Sequence, residues 1–352
     1  MKEIIELSRK SFISNFTHLS FPMKVSLLLT FRCNAKCVMC NIWKKNDHSD
    51  ELSPDELQRF FSKSNNISWM DLSGGEIFLR DDILDIIKII FSHCKNLFLL
   101  HFATNGFMVD KTVSLTEKIL RYNPPKLLVT VSLDGDKETH ERIRGVSGVF
   151  EKTLSTFSAL RKYNNKKFKV FLGMTLSDAN ATCFQNTFDS VREVIPDLSL
   201  DDFHFNLVQA SSHYYDNLGT NSADHEEILK TIKKYNKDKD SSLFNPVDYL
   251  ERRYQELVDK FVKTQKCPLP CQALSNSCFI GPNGDIYPCS MYDKIVGNIK
   301  DFDYDLKKAW SSLEVKKTRQ EIQHGHCPHC WTPCEAYQTI IGNFFKLRQR
   351  HI

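Results

Sequence analysis

Three cysteines fall within eight residues, spaced Cys33-x-x-x-Cys37-x-x-Cys40, just after the apolar run Val25 to Leu29. Thiolates are soft ligands, and three of them can hold three irons of a four-iron, four-sulfide cluster, leaving the fourth iron open to another ligand. The same thiols could hold zinc, which needs a fourth donor, and His48 is the only imidazole nearby. They could also be incidental buried cysteines. A second group follows far down the chain: Cys267, Cys271, Cys278, Cys289, Cys327, Cys330 and Cys334, seven of the twelve cysteines. Within it, Cys271 precedes a hairpin-like stretch in which Pro282, Asn283 and Gly284 make the turn and Cys289 follows the returning strand. Cys327-Pro328-His329-Cys330 then supplies a C-x-x-C pair, with Cys334 four residues on. Four thiols from a hairpin and such a pair can bind zinc or an iron–sulfur cluster, and spacing alone does not choose.

Other groups able to do chemistry stand where apolar runs end. Gly74-Gly75-Glu76 follows Trp69 to Leu72, Thr104-Asn105-Gly106 closes Leu97 to Thr104, and Ser132-x-Asp134-Gly135 closes Lys126 to Leu133. Arg142 and Arg144 come next. Each alone reads as a turn with a solvated polar residue. Cys94 and Cys183 stand singly and read as buried bystanders. His204 and His213, near a sixth apolar run, could line a pocket, but ordinary roles are expected and they are left outside the site.

These residues need a frame, and the chain supplies one. Short apolar runs at Val25 to Leu29, Trp69 to Leu72, Leu97 to Thr104, Lys126 to Leu133, Val170 to Leu176 and Phe203 to Val208 alternate with amphipathic stretches. That alternation predicts strand, loop, helix units on a mostly parallel sheet. Ser53 followed by Pro54 predicts a helix start, and Asp81 to His93 and Val149 to Tyr163 have helical spacing. Six such units fit an open, partial (β/α)6 barrel better than a closed eight-fold one, which takes ~250 residues. The expected fold class is therefore α/β: a partial (β/α)6 barrel with a small C-terminal cysteine-rich, metal-organised module, which the resemblance described below makes an iron–sulfur one. In such sheets catalytic groups gather at the C-terminal ends of the strands, and the Cys33 to Cys40 loop, Gly74-Gly75-Glu76, Thr104-Asn105-Gly106 and Asp134-Gly135 all fall on that one rim.

The expected organisation is an N-terminal helical segment over 1–22, the barrel over 23–215, a helical bridging segment over 216–266 and the cysteine-rich module with a C-terminal helix over 267–352. The net charge of +4 arises from 47 basic and 43 acidic residues, a near balance that gives no argument for nucleic acid. No apolar run approaches the ~20 residues that span a bilayer. Met1 to Ser20 lacks the order of a secretory signal, so a cytoplasmic protein is expected, in which clustered cysteines serve as metal ligands or reactive thiols rather than disulfides.

The Cys33 to Cys40 spacing, with Met39 bulky and apolar before the last cysteine, resembles the radical S-adenosylmethionine superfamily. The resemblance implies that Cys33, Cys37 and Cys40 hold a 4Fe–4S cluster whose open iron binds S-adenosylmethionine. Reductive cleavage then gives a 5′-deoxyadenosyl radical that abstracts a substrate hydrogen. Gly74, Gly75 and Glu76 look like the family motif that receives the methionine ammonium. Asn105 falls where relatives face the cofactor, Ser132 and Asp134 where they contact the ribose. Arg144 is a candidate for the methionine carboxylate, since guanidinium pairs bidentately with carboxylates.

The C-terminal cysteines resemble the auxiliary-cluster extensions called SPASM or, shortened, twitch, over about residues 267 to 334. A full SPASM set has a middle group, C-x-x-C-x-x-x-x-x-C-x-x-x-C, that this chain lacks. One auxiliary 4Fe–4S cluster on Cys271, Cys289, Cys327 and Cys330 is therefore expected, with Cys267, Cys278 and Cys334 as further possible ligands. The resemblance implies an oxidation or bond-forming modification of a small molecule or peptide, with an electron donor such as flavodoxin or ferredoxin. Peptide modifiers of this kind often carry an N-terminal recognition domain; only 32 residues precede Cys33, which favours a small molecule or a peptide presented by another protein. The contrasting expectation is a zinc or redox-sensing protein without enzymatic activity.

Overall fold

The computed structural model describes residues 2–45, 48–219, 225–238 and 246–345. After helix α1 (Lys2–Ser14), six strands, β1 (Lys24–Leu28), β2 (Trp69–Ser73), β3 (Leu99–Thr104), β4 (Lys126–Ser132), β5 (Phe168–Leu176) and β6 (Phe203–Leu207), pair in parallel in simple sequence order. The helices between them are α2 (Pro54–Lys63), α3 (Ile83–His93), α4 (Val109–Leu120), α5 (Lys137–Arg144), α6 (Phe150–Arg161) and α7 (Phe184–Val194). Alternation along each strand builds two unlike faces. Leu127, Val129 and Val131 of β4 are fully buried under the helices, while Leu128, Thr130 and Ser132 face the concave interior. The N-terminus of α2 has the expected cap: Ser53 Oγ accepts from Glu56 N at 3.3 Å and the Glu56 carboxylate accepts from Ser53 N at 2.9 Å, a reciprocal capping box.

The sheet does not end at β1. Beyond α8 (His225–Asp238) and α9 (Pro246–Thr264), strand β7 (Ser277–Ile280) pairs in parallel with β1, from Lys24 opposite Ser277 to Leu27 opposite Ile280. It then turns back antiparallel into β8 (Asp285–Tyr287) and β9 (Gly297–Asn298). Gly284 takes φ +93 at the predicted turn, a backbone conformation that favours glycine. One nine-stranded sheet thus carries both cysteine groups. Helices α10 (Leu306–Trp310), α11 (Leu313–Gln323) and α12 (Pro333–Ile341) complete the C-terminal part, and α12 packs against α9.

A buried lysine fastens this part to the barrel. Lys24 of β1 is fully buried, lies 2.8 Å from the Asp71 carboxylate and 4.6 Å from the Trp69 ring centre, and donates to the Cys334 carbonyl and to Gln338 Oε1 on α12. Burial opposes its charge, but the facing Asp71 and Glu335 carboxylates raise its pKa.

Candidate functional site

The cysteine loop leaves β1 and is gripped from three sides. Gly75 N donates to Thr30 O at 2.9 Å and Glu76 N to Arg32 O at 2.8 Å, so the loop after β2 lies directly against it. A Cβ at Gly75 would stand 2.2 Å from Arg32 O and 2.7 Å from Cys33 Cβ, so only glycine permits this approach. On the second side, Lys36 N and Val38 N donate to Arg144 O and Ile143 O at the C-terminal end of α5, both at 2.9 Å. Gly145 ends that helix at φ +66 and touches the loop at Lys36. The third side is the segment after β6: Asn41 N donates to Tyr215 O at 2.7 Å and Asn217 Nδ2 to Met39 O at 2.9 Å.

A rim cleft of about 950 Å³, open mouth included, brings together Cys33, Cys37, Cys40, Gly74, Gly75, Asn105, Ser132 and Arg144. Glu76 and Asp134 do not line it; both are fully buried beneath the rim. Glu76 accepts from Asn105 N at 2.8 Å, Thr104 Oγ1 at 3.0 Å and Phe78 N at 3.3 Å, binding the β2 and β3 loops together. Burial pushes its pKa up to about 7 against those donors. Asp134 lies 2.7 Å from Arg144 Nη2 and accepts from Thr175 N at 2.9 Å. Arg144 in turn donates to Cys37 Sγ at 3.7 Å. Burial opposes the guanidinium charge, yet Asp134 and Cys37 outweigh it and raise the pKa.

The donor set suits an iron–sulfur cluster. Burial raises the thiols of Cys33 to about 11 and Cys40 to about 12, and raises Cys37 too. Such thiols ionise only beside a strong positive charge, which iron supplies. Arg144 Nε is buried with no hydrogen-bond partner, a donor left for an anionic group in the cleft.

The second group gathers Cys267, Cys271, Cys289, Cys327 and Cys330 around a small cavity of about 320 Å³, with Met291 and Ile322 as apolar walls. Ala273 N points at Cys271 Sγ at 3.5 Å and Tyr292 N at Cys289 Sγ at 3.3 Å, backbone N–H to sulfur contacts of the kind that tune cluster thiolates. The Cys271 thiol is raised by its hydrogen bond with Cys267 and by burial, and burial raises Cys289 and Cys330. Cys267 thus joins the four expected residues, whereas Cys278 lies within β7 and Cys334 opens α12 on the wall of a different cavity. Among the described residues no three His, Cys, Asp or Glu side chains converge on a single-ion position. Both thiol sets surround cavities instead.

That different cavity fills the barrel interior. It measures about 1040 Å³, open mouth included, with Ala103, Ser132, Thr175 and Asn206 shared between it and the cofactor cleft. Its walls are mostly apolar and aromatic, among them Trp69, Leu128, Phe171, Leu250 and Tyr337. His204, set aside on sequence grounds, stands in this wall stacked on Phe171 at 3.9 Å between ring centres. Asp71 and His101 were not singled out at all: they occupy mid-strand positions, where an isolated polar residue in an apolar run carries no motif. The period-2 alternation of β2 and β3 was the available signal, since it turns both toward the interior.

Comparison with known proteins agrees with this geometry. A model of the radical SAM superfamily matches residues 27–191, and a model of the SPASM iron–sulfur cluster-binding domain matches residues 271–331. The chain is 28% identical over 324 residues to the AdoMet-dependent heme synthase of Methanosarcina barkeri, covering 88% of each. It is 23% identical over 339 residues to the subtilosin biosynthesis protein AlbA of Bacillus subtilis, covering 94% of this chain and 69% of that one. Among solved structures, anSMEcpe with bound AdoMet superposes with a TM-score of 0.58 at 17% identity, covering 94% of this chain and 99% of that one. SuiB of Streptococcus suis gives 0.57 at 16%, covering 91% and 71%; both share the fold.

The chain belongs to the radical SAM superfamily. Within it, this is an enzyme of the SPASM-bearing kind, with S-adenosylmethionine, a 4Fe–4S cluster that binds it, and auxiliary 4Fe–4S chemistry as its cofactors. These groups, when bound, supply a 5′-deoxyadenosyl radical that takes a hydrogen atom from the substrate. The reaction is completed as an oxidation or bond-forming modification with the auxiliary centre's help. No helix among the described residues is long and apolar enough to cross a membrane.

Proposed function

We propose that the substrate is a small molecule of the tetrapyrrole class, flat and largely apolar, lodged in the barrel interior with one edge toward the cofactor cleft. The interior cavity carries this reading: it continues from the cleft through Ala103, Ser132, Thr175 and Asn206 and is walled by aromatic and aliphatic side chains. Similarity to a heme synthase along 88% of both chains supports the same class. In this reading Cys33, Cys37 and Cys40 hold the cofactor-binding cluster. Gly74, Gly75, Asn105, Ser132 and Arg144 face S-adenosylmethionine, while Glu76 and Asp134 hold the rim and Arg144 in place. Cys271, Cys289, Cys327 and Cys330 hold the auxiliary cluster, and flavodoxin or ferredoxin delivers the electron.

The test is anaerobic turnover of the reconstituted enzyme with S-adenosylmethionine and reductant. Fe-coproporphyrin III and a set of precursor peptides are compared by deoxyadenosine yield and product mass. Fe-coproporphyrin III is expected to raise deoxyadenosine formation and to change mass. Modification of a peptide, with the tetrapyrrole left intact, overturns the reading.

A further inference from the structure

The interior cavity holds a histidine backed by a buried carboxylate. His101 Nδ1 lies 3.4 Å from Asp71 Oδ1, and Nε2 is hydrogen-bonded to Thr130 Oγ1 at 3.0 Å on the cavity wall, a hydroxyl that must turn away before Nε2 can reach a bound ligand. Metal-ligating histidines present one ring nitrogen to the metal and donate the other N–H to a carboxylate that fixes tautomer and orientation. Asp71 is equipped for that part: it accepts from Trp69 Nε1 at 2.8 Å and lies 2.8 Å from Lys24 Nζ. Burial opposes its charge, but Lys24 and His101 hold its carboxyl well below the usual range.

No protein site for a free ion accompanies this histidine, because no three ligating side chains among the described residues converge on one ion. A carboxylate-backed imidazole in a largely apolar chamber suits a metal that arrives with its other ligands, as in a metallated macrocycle.

We propose that His101, oriented by Asp71, is an axial ligand to the metal of a metallated tetrapyrrole bound in the barrel interior. This rests on the substrate class given above. The experiment is spectroscopic and needs no turnover: Fe-coproporphyrin III and metal-free coproporphyrin III are titrated anaerobically into the reconstituted enzyme. Soret position and iron spin state are followed in the natural protein, His101→Ala and His204→Ala. His101→Ala should change the Soret band and spin state of the bound iron form and weaken its binding by at least ~10-fold, the scale on which metal-site contacts act. Binding of the metal-free macrocycle should persist in that variant, showing the chamber intact, and added imidazole should restore the natural spectrum. His204→Ala should leave the spectrum as it is. An unchanged iron spectrum in His101→Ala, or a change confined to His204→Ala, overturns the ligand assignment while leaving the substrate class standing. Failure of both macrocycles to bind the natural protein overturns the substrate class itself, and the ligand assignment with it.

Discussion

Seven thiols follow residue 266, and their neighbours sort them. Five share one small cavity; Cys278 is packed within β7 opposite Val25, and Cys334 lies on the interior wall. Cys278→Ala and Cys334→Ala should each keep the full complement of about eight irons per chain expected for two four-iron clusters, whereas Cys327→Ala should fall toward about four. Iron and acid-labile sulfide assays on anaerobically purified protein check this; loss of iron in Cys334→Ala would show that α12 supplies a ligand. The cysteine spacings were legible because ligands close in sequence on one loop must be close in space. Which of Cys267, Cys278 and Cys334 joins the others was not, since that depends on how β7 and α12 fold back. The carboxylates illustrate the same limit. Glu76 and Asp134 occupy the rim positions their motifs suggest, but a strand-ending carboxylate can turn outward or under, and both turn under, toward Asn105 N and Arg144.

Among the elements, α1 is held to the barrel by a buried lysine. Lys10 is 3% exposed, and its amine donates to Asn66 O at 2.6 Å, Asn66 Oδ1 at 3.0 Å and Ser68 Oγ at 3.1 Å, with Glu6 3.7 Å away. Burial lowers its pKa to about 8, only partly offset by Glu6. An amine depressed in the folded state and ordinary in the unfolded one gives, between those two values, an unfolded chain that binds more protons, so stability rises with pH there. From pH 8 to pH 10 the natural protein should therefore gain on the order of 2 kcal/mol relative to Lys10→Met. Melting temperatures of the two proteins across that range check it, and parallel curves would refute it. The strands and helices themselves were largely legible: the six core strands fall within two residues of the apolar runs, and Ser53-Pro54 starts α2 as read. The pairing of β7 with β1 was not, because Ser277–Ile280 is too short to announce a partner two hundred and fifty residues earlier.

At the scale of the molecule, that pairing makes one sheet of the barrel and the auxiliary part, and Lys24 closes the seam. Its ammonium contacts Asp71 on β2, the Cys334 carbonyl and Gln338 on α12, so one charge spans the cofactor-bearing barrel and the helix that follows the C-x-x-C pair. Removing one partner of a buried pair leaves the other charge without compensation, which costs about 3–5 kcal/mol, whereas replacing both with apolar groups is often nearly neutral. Lys24→Met should therefore lower the melting temperature of the reconstituted enzyme sharply, because Asp71 must then be buried ionised against its desolvation or take up a proton, whereas the facing Glu335, whose carboxyl burial already raises to about 7, takes one up readily. Lys24→Met combined with Asp71→Leu should recover most of that loss. Recovery in the double variant would assign the defect to the stranded Asp71 charge, and iron content then tests the seam: if α12 stays docked through β7 and its packing on α9, both clusters persist. A single variant as stable as the natural protein would mean that β1–β7 pairing alone holds the two halves together, with the buried lysine dispensable.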